Sequence, residues 1–213
     1  MSTLILVDFD GVLLDDEAFK KDYLGVFGAY GVSEAVERTA YERAKSKSGG
    51  VYDSERHLTE LSQDIPNLDI PVMRRDLVAV AYRASEFLFP DAIPFLETMQ
   101  KRGYILVLVS AGAGLQEVKI AACGLNQFFT CVDVTPNPAK VAPVREFLHR
   151  FKPGTAFMID DKSFVVDAVK RALPDVVAVQ VLRHPGMRES ELADACMSDL
   201  RSVQEFIFKR MNP

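Results

Sequence analysis

The feature that most narrows the fold is a short apolar run, Leu4-Ile-Leu-Val7, that stops abruptly at Asp8-Phe-Asp-Gly11. Such a run with turn residues behind it reads as a buried strand. Asp8 and Asp10 then sit at its C-terminal end, where open α/β sheets place their ligands. Side chains two apart on an extended segment point the same way, so both carboxylates can face one small volume. Gly11 lets the backbone turn and approach a ligand closely. Paired carboxylates repel unless a cation or a shared proton relieves them. Mg²⁺, which prefers oxygen ligands, would do so.

Two further runs end in polar groups. Residues 104–109 lead into Ser110-Ala111-Gly112, and residues 156–159 lead into Asp160-Asp161. Lys140 stands between them in Asn137-Pro-Ala-Lys-Val-Ala-Pro143, just before a helical pattern. From Asp91 onward helices and strands alternate, which implies a parallel sheet covered on both faces. Expected strands cover 104–110, 130–134, 156–160 and 176–181, with a helical tail over 200–211.

Residues 15–88 read differently. Phe19, Tyr23, Phe27 and Tyr30 recur at helical spacing, and Gly31 follows as a stop. Ser33 opens a second helix to about residue 47, Ser54 caps a third to about 63, and a fourth covers 72–88. The expected organisation is an α/β core of residues 1–14 and 89–213 with an all-helical insertion over 15–88.

The chain has 213 residues, 48% of them hydrophobic, which is ample for one core with a modest insertion. Its formal net charge of −5 argues against nucleic acid or an anionic membrane as partner. No apolar run approaches the roughly 20 residues that span a bilayer. The apolar start stops at Asp8 and lacks a basic flank, so it does not read as a signal peptide. Cys123, Cys131 and Cys196 have no metal-ligand spacing and read as reduced packing residues, which fits a cytoplasmic enzyme.

Taken together, Asp8-Phe-Asp-Gly-Val-Leu13, the strand ending in Ser110, Lys140, and Asp160-Asp161 resemble the four ordered motifs of the haloacid dehalogenase superfamily of phosphoryl-transfer enzymes. The resemblance covers nearly the whole chain. It implies a Rossmann-like core, a helical cap inserted after the first motif, and Mg²⁺ as cofactor. It implies Asp8 as the nucleophile and Asp10 as general acid/base, with the Asp10 main-chain carbonyl also on the metal. The superfamily's dehalogenases lack that second aspartate, so its presence favours a phosphatase. Gly11, Ser110, the Ala111 N–H and Lys140 match the phosphate-binding groups. Asp161 matches the direct Mg²⁺ ligand and Asp160 an outer-sphere partner, although the two could exchange roles. Members often carry another aspartate four residues after the ligand. Here that place is Val165, and Asp167 is the next carboxylate and a candidate for the same outer shell.

The inserted segment would decide the substrate. Residues 15–88 hold ten Lys/Arg and fourteen Asp/Glu, so it is no basic nucleic-acid platform. Lys47, Gly49, Gly50 and Arg56 form the candidate specificity loop, and His57 reads as a surface residue. The expected activity is a Mg²⁺-dependent phosphatase for a small phosphorylated metabolite. A β-phosphoglucomutase-like phosphomutase and a non-catalytic phosphate-binding module are the alternatives.

Overall fold

In the computed structural model, which describes residues 2–211, β1 (Thr3–Val7) is buried along its whole length. It lies between β2 (Ile105–Ala111) and β4 (Thr155–Asp160), both parallel to it. β3 (Cys131–Thr135), β5 (Val177–Val181) and β6 (Ala195–Met197) complete a six-stranded parallel sheet of order β3-β2-β1-β4-β5-β6. A strand with neighbours on both edges and helices on both faces has no solvent side, which explains why β1 and β2 read as unbroken apolar runs.

Alternation along the strands divides the core in two. Leu4, Leu6, Val107, Val109 and Met158 face α7 (Val141–Phe151) and α8 (Ser163–Ala172) through Val144, Phe147, Val165 and Val169. Ile5, Val7, Leu106, Leu108 and Ile159 face α5 (Ala92–Lys101) and α9 (Leu200–Met211) through Phe95, Met99, Val203 and Ile207. Each such side chain, fully buried, contributes about 1.5–3 kcal/mol.

α1 (Asp16–Ala29), α2 (Glu34–Lys47), α3 (Ser54–Asp64) and α4 (Ile70–Tyr82) all fall between β1 and β2. α1 is capped by the Asp15 carboxylate, which accepts from the Ala18 N–H. Its Phe19, Tyr23 and Phe27 lie one turn apart and are buried. The third helix is capped by Asp53 rather than Ser54, because the Asp53 carboxylate reaches the Arg56 N–H. The fourth starts at Ile70 and stops at Tyr82, followed by a 3₁₀ turn over Ala84–Phe87. Pro71 sits in its first turn, where a missing N–H costs nothing, so the helix opens before the expected start at 72.

The two chain crossings between this block and the sheet run side by side. The Phe89 N–H donates to the Leu13 carbonyl (2.9 Å) and the Asp15 N–H to the Phe87 carbonyl (2.8 Å). Arg183, just beyond β5, clamps them. Its guanidinium donates twice to Asp91 (2.8 Å each), once to the Val12 carbonyl (2.7 Å), and lies 4.1 Å over the Phe89 ring. β6 has no counterpart among the expected strands: three residues at a sheet edge carry too little pattern to be read. Among the described residues no helix is long and apolar enough to cross a membrane. Cys123 is buried, whereas Cys196 is exposed and is not a packing residue.

Candidate active site

Val7 is in register with Leu108 and Ile159, so the three central strands end at one level. Their C-terminal ends carry Asp8, Ser110 and Asp160, all essentially buried. Lys140 reaches them from the turn before α7. It adopts the left-handed region at φ 56°, which is uncommon for a side-chain-bearing residue and costs energy that the surrounding contacts must offset. Its Nζ lies 2.7 Å from Asp8 Oδ1 and 2.8 Å from Asp160 Oδ2. Burial alone would lower the Lys140 pKa, but Asp160 and Asp8 overcome it and hold the ammonium charged.

Asp8, Asp160 and Asp161 offer oxygens that all lie within 4.8 Å of one another. One buried lysine does not satisfy three carboxylates. Asp8 Oδ1 accepts from Lys140 and from the Phe9 N–H (2.7 Å), while Asp8 Oδ2 is buried without a partner. Both Asp160 oxygens are committed, one to Lys140 and one to the Lys162 N–H (2.9 Å). Asp161 Oδ1 is buried with no hydrogen bond, and its nearest cation is the half-exposed Lys162 Nζ at 3.4 Å. Burial pushes the Asp8 pKa up to about 6, opposed by Lys140 and assisted by Asp160. Burial pushes Asp161 up to about 8, opposed by Lys162 and assisted by Asp160 and Asp8. This is a donor set short of positive charge, made only of hard oxygens, and it fits a divalent cation such as Mg²⁺.

Gly11 packs against this cluster, and its own N–H is not free for a phosphate. At φ +76° its N–H is spent on the Leu14 carbonyl (2.9 Å), and a Cβ there would stand 2.5 Å from Asp161 Oδ2. Asp167 departs from its expected place. It is buried, but it faces the turn after β5, where it accepts from the Ser190 hydroxyl and the Leu192 N–H. Two residues beyond Val165 on α8, it pairs with that loop and not with the carboxylate cluster.

Asp10 is turned the other way, toward α6 (Leu115–Ala122). Lys119 Nζ lies 2.6 Å from Asp10 Oδ1, and Gln116 Nε2 donates to Asp10 Oδ2 (2.7 Å) and to Ser110 Oγ (2.8 Å). Burial is the largest influence and raises the Asp10 pKa, but Lys119, helped by Gln116 and Lys162, outweighs it and holds the carboxyl below its usual range. Gly112 makes this possible: a Cβ there would meet the Gln116 side chain at 2.7 Å. Sequence reasoning missed Gln116, Lys119 and Gly112. Their only signal is a glutamine and a lysine three apart on a helix whose one other polar residue is Glu117.

A cavity of 420 Å³ opens beside Asp10, walled by α1, α2, Tyr52 and residues 111–119. Ala111 lines its mouth. Lys47, Gly49, Gly50 and Arg56 do not line it. Lys47 is held by Glu60, Arg56 donates to the Lys47 carbonyl (3.1 Å), and a side chain at Gly49 or Gly50 would meet open space. Tyr23, Tyr41 and Tyr52 line it instead, and His57, expected at the surface, is buried behind them at 1% exposure. The physical reason is the hairpin of α2 on α3, which turns the basic flanks onto Glu60 and the aromatic flank inward.

No curated protein matches the chain. Solved structures do, over almost the full length of both partners. A protein of Burkholderia xenovorans described as haloacid dehalogenase-like hydrolase is 20% identical, with a TM-score of 0.81, over 96% of this chain and 98% of that one. An L-2-haloacid dehalogenase of Xanthobacter autotrophicus is 15% identical, with a TM-score of 0.71, over 98% and 99%. A HAD phosphatase of Thermococcus onnurineus is 24% identical, with a TM-score of 0.66, over 97% and 98%. At these identities the likeness establishes the fold alone. The family model for haloacid dehalogenase-like hydrolases matches residues 3–172, from β1 to the end of α8, and so takes in every strand end just described. On that match the chain belongs to the haloacid dehalogenase-like hydrolases.

Proposed function

We propose that this hydrolase is a Mg²⁺-dependent phosphatase that cleaves a small phosphate monoester through phospho-Asp8. The observation that carries the reading is the division of labour between the two loop aspartates. Asp8 belongs to the cation-deficient carboxylate cluster, with one oxygen left unbonded. Asp10, two residues on, is paired with Lys119 at the edge of the cavity. Displacement of halide from carbon expels an ion that needs no proton. An ester oxygen leaving phosphorus does need one, and a second carboxylate beside the nucleophile serves that need.

Mg²⁺ would be held by Asp8, Asp161 and the Asp10 main-chain carbonyl, with Asp160 outside them, and when bound it would supply positive charge at the phosphoryl oxygens. The chain's own groups do the rest. An Asp8 oxygen forms a bond to phosphorus as the bond from phosphorus to the ester oxygen breaks, and that oxygen takes the proton of Asp10 in its protonated form. Lys140 neutralises Asp8 and one phosphoryl oxygen. Gln116 donates to Ser110 Oγ, which leaves the serine's own O–H to donate to phosphate. In the second half, water attacks phospho-Asp8 and gives its proton to Asp10. Lys119 holds Asp10 ionised for that step. The walls of the helical insertion exclude bulk water and large substrates.

A release screen tests the reading. Sugar phosphates, nucleotides, phosphoglycolate and amino-acid phosphates are offered with Mg²⁺, and a 2-haloacid is offered in parallel. Phosphate released from at least one ester is expected. Halide released with no phosphate would overturn the proposal, and release of an isomer instead of free phosphate would identify a mutase.

A further inference from the structure

The cavity has a hydrogen-bonding polarity that the substrate must match, and three side chains and one main-chain carbonyl fix it. His57 Nε2 lies 3.3 Å from the Glu37 main-chain carbonyl, which can only accept, so that nitrogen carries the proton. Burial lowers the His57 pKa, so the ring is neutral and Nδ1 is an acceptor. The Tyr52 hydroxyl, 3.1 Å from Nδ1, therefore donates to it. Tyr23, 2.8 Å from Tyr52, must then donate in turn. Every proton of the relay is spent inward, and the two phenol oxygens offer the cavity only lone pairs.

The charges point the same way. Within the wall, Asp10 is paired with Lys119 and Asp16 with Lys20. That leaves Glu34, Glu37 and Glu42 against Arg38 alone. Glu37 is held above the ordinary carboxylate range by burial and by Glu34, against the pull of Arg38, so its charge is incompletely compensated. The remaining wall is aromatic. Tyr41 stacks on Tyr52 at 5.5 Å and Phe19 on Tyr23 at 5.8 Å. Acceptors, surplus negative charge and π-faces together recognise a cation that donates hydrogen bonds.

We propose that the chamber selects phosphate monoesters whose leaving group ends in a primary ammonium, that is, phosphorylated amino alcohols with an apolar spacer. A primary ammonium brings three donors and a charge. A hydroxyl lacks the charge, a trimethylammonium lacks the donors, and a carboxylate is repelled by the glutamates. The proposal rests on the phosphatase reading for its turnover but not for its binding.

The test uses matched series of alkyl phosphates of graded length that differ only at the far end: amino, hydroxy, trimethylammonio or carboxy. Binding is measured by calorimetry on the Mg²⁺-loaded Asp8→Asn protein, and kcat/KM on the wild type. The amino series is expected to lead the hydroxy series by about ten- to a hundredfold, the range one charge-assisted hydrogen bond supplies. Tyr52→Phe should erode that preference by breaking the relay. Glu34→Gln, at an exposed position on the first turn of α2, should erode it too and guards against misfolding of the tyrosine variant. Equal or better binding by any other terminus, or no binding by any, overturns the chamber assignment. Preferential binding of the amino series without turnover of any ester would uphold the chamber and overturn the phosphatase reading.

Discussion

The side chains of Asp8 and Lys140, each 2% exposed, meet at 2.7 Å, and the lysine holds Asp160 at nearly the same distance. Removing one partner of a buried pair normally leaves an uncompensated charge. Here Asp160 would keep Lys140 paired, so Asp8 can be changed without stranding it. Asp8→Asn is therefore expected to fold, by circular dichroism and thermal melting, and to retain less than about one per cent of wild-type phosphate release. Turnover well above that level would sink the covalent mechanism.

The cluster of Asp8, Asp160 and Asp161 predicts a pH-dependent response to Mg²⁺. Asp8 and Asp161 have folded-state pKa values raised from 3.8 to about 6 and about 8. The folded, metal-free protein thus binds more protons than the unfolded chain across that window, and these two groups lose it stability as pH rises through 6 and 8. Mg²⁺ binds the ionised forms and should reverse the loss. The increase in Tm on adding Mg²⁺ to chelator-treated protein is expected to be clearly larger near about pH 8.5 than near about pH 5.5. An equal shift at both would mean that these carboxylates do not hold the ion.

Asp160 and Asp161 should fail differently. Both Asp160 oxygens are committed to Lys140 and the Lys162 N–H, whereas Asp161 Oδ1 is unbonded. Asp161→Ala is expected to raise the Mg²⁺ concentration for half-maximal activity more than Asp160→Ala, which should chiefly lower kcat by loosening Lys140. The reverse ranking in a Mg²⁺ titration would exchange their roles.

Lys119→Met removes the charge that offsets the burial of Asp10. The Asp10 pKa should then rise, and the limb of the kcat profile in which Asp10 must be ionised, to accept the proton of the water that attacks phospho-Asp8, should move to higher pH. A loss of about a hundredfold near neutrality is expected, the lower range for a misplaced acid/base group. A uniform loss with an unmoved profile would assign Lys119 a packing role only.

Gly11→Ala should weaken metal binding. The left-handed backbone at φ +76° would cost about 1–2 kcal/mol with any Cβ, and that Cβ would collide with Asp161 Oδ2. Tighter Mg²⁺ binding than wild type in the same titration would contradict this role.

What could be read without the fold was whatever lies at a strand end. Asp8, Ser110 and Asp160 are marked by the apolar runs before them, because β1, β2 and β4 are buried on both faces. Lys119 is not marked by anything comparable: it meets Asp10 from 109 residues away, and a lysine on a helix ordinarily faces water. The same limit hid the relay from Tyr23 to His57, since its members come from α1, the loop before α3, and α3 itself. Lys47 and Arg56 misled for the converse reason. Charge clusters in sequence say which residues are near one another, but Glu60, thirteen residues from Lys47, decides which way they point.

The Arg183 clamp bears on when the site becomes whole as the chain is made. The loop carrying Asp8 is synthesised long before its partner, for the Val12 carbonyl within it is bound by a guanidinium 171 residues later. Its strand must also wait for β4 to supply a second edge. Contacts this distant in sequence close late, after local helices have formed. A ribosome-bound chain lacking β5 would hold the nucleophile's sequence without its geometry. The geometry at Asp8 is thereby set only once Arg183 has joined the fold, and a fragment that stops before β5 is expected to be inert rather than loosely active.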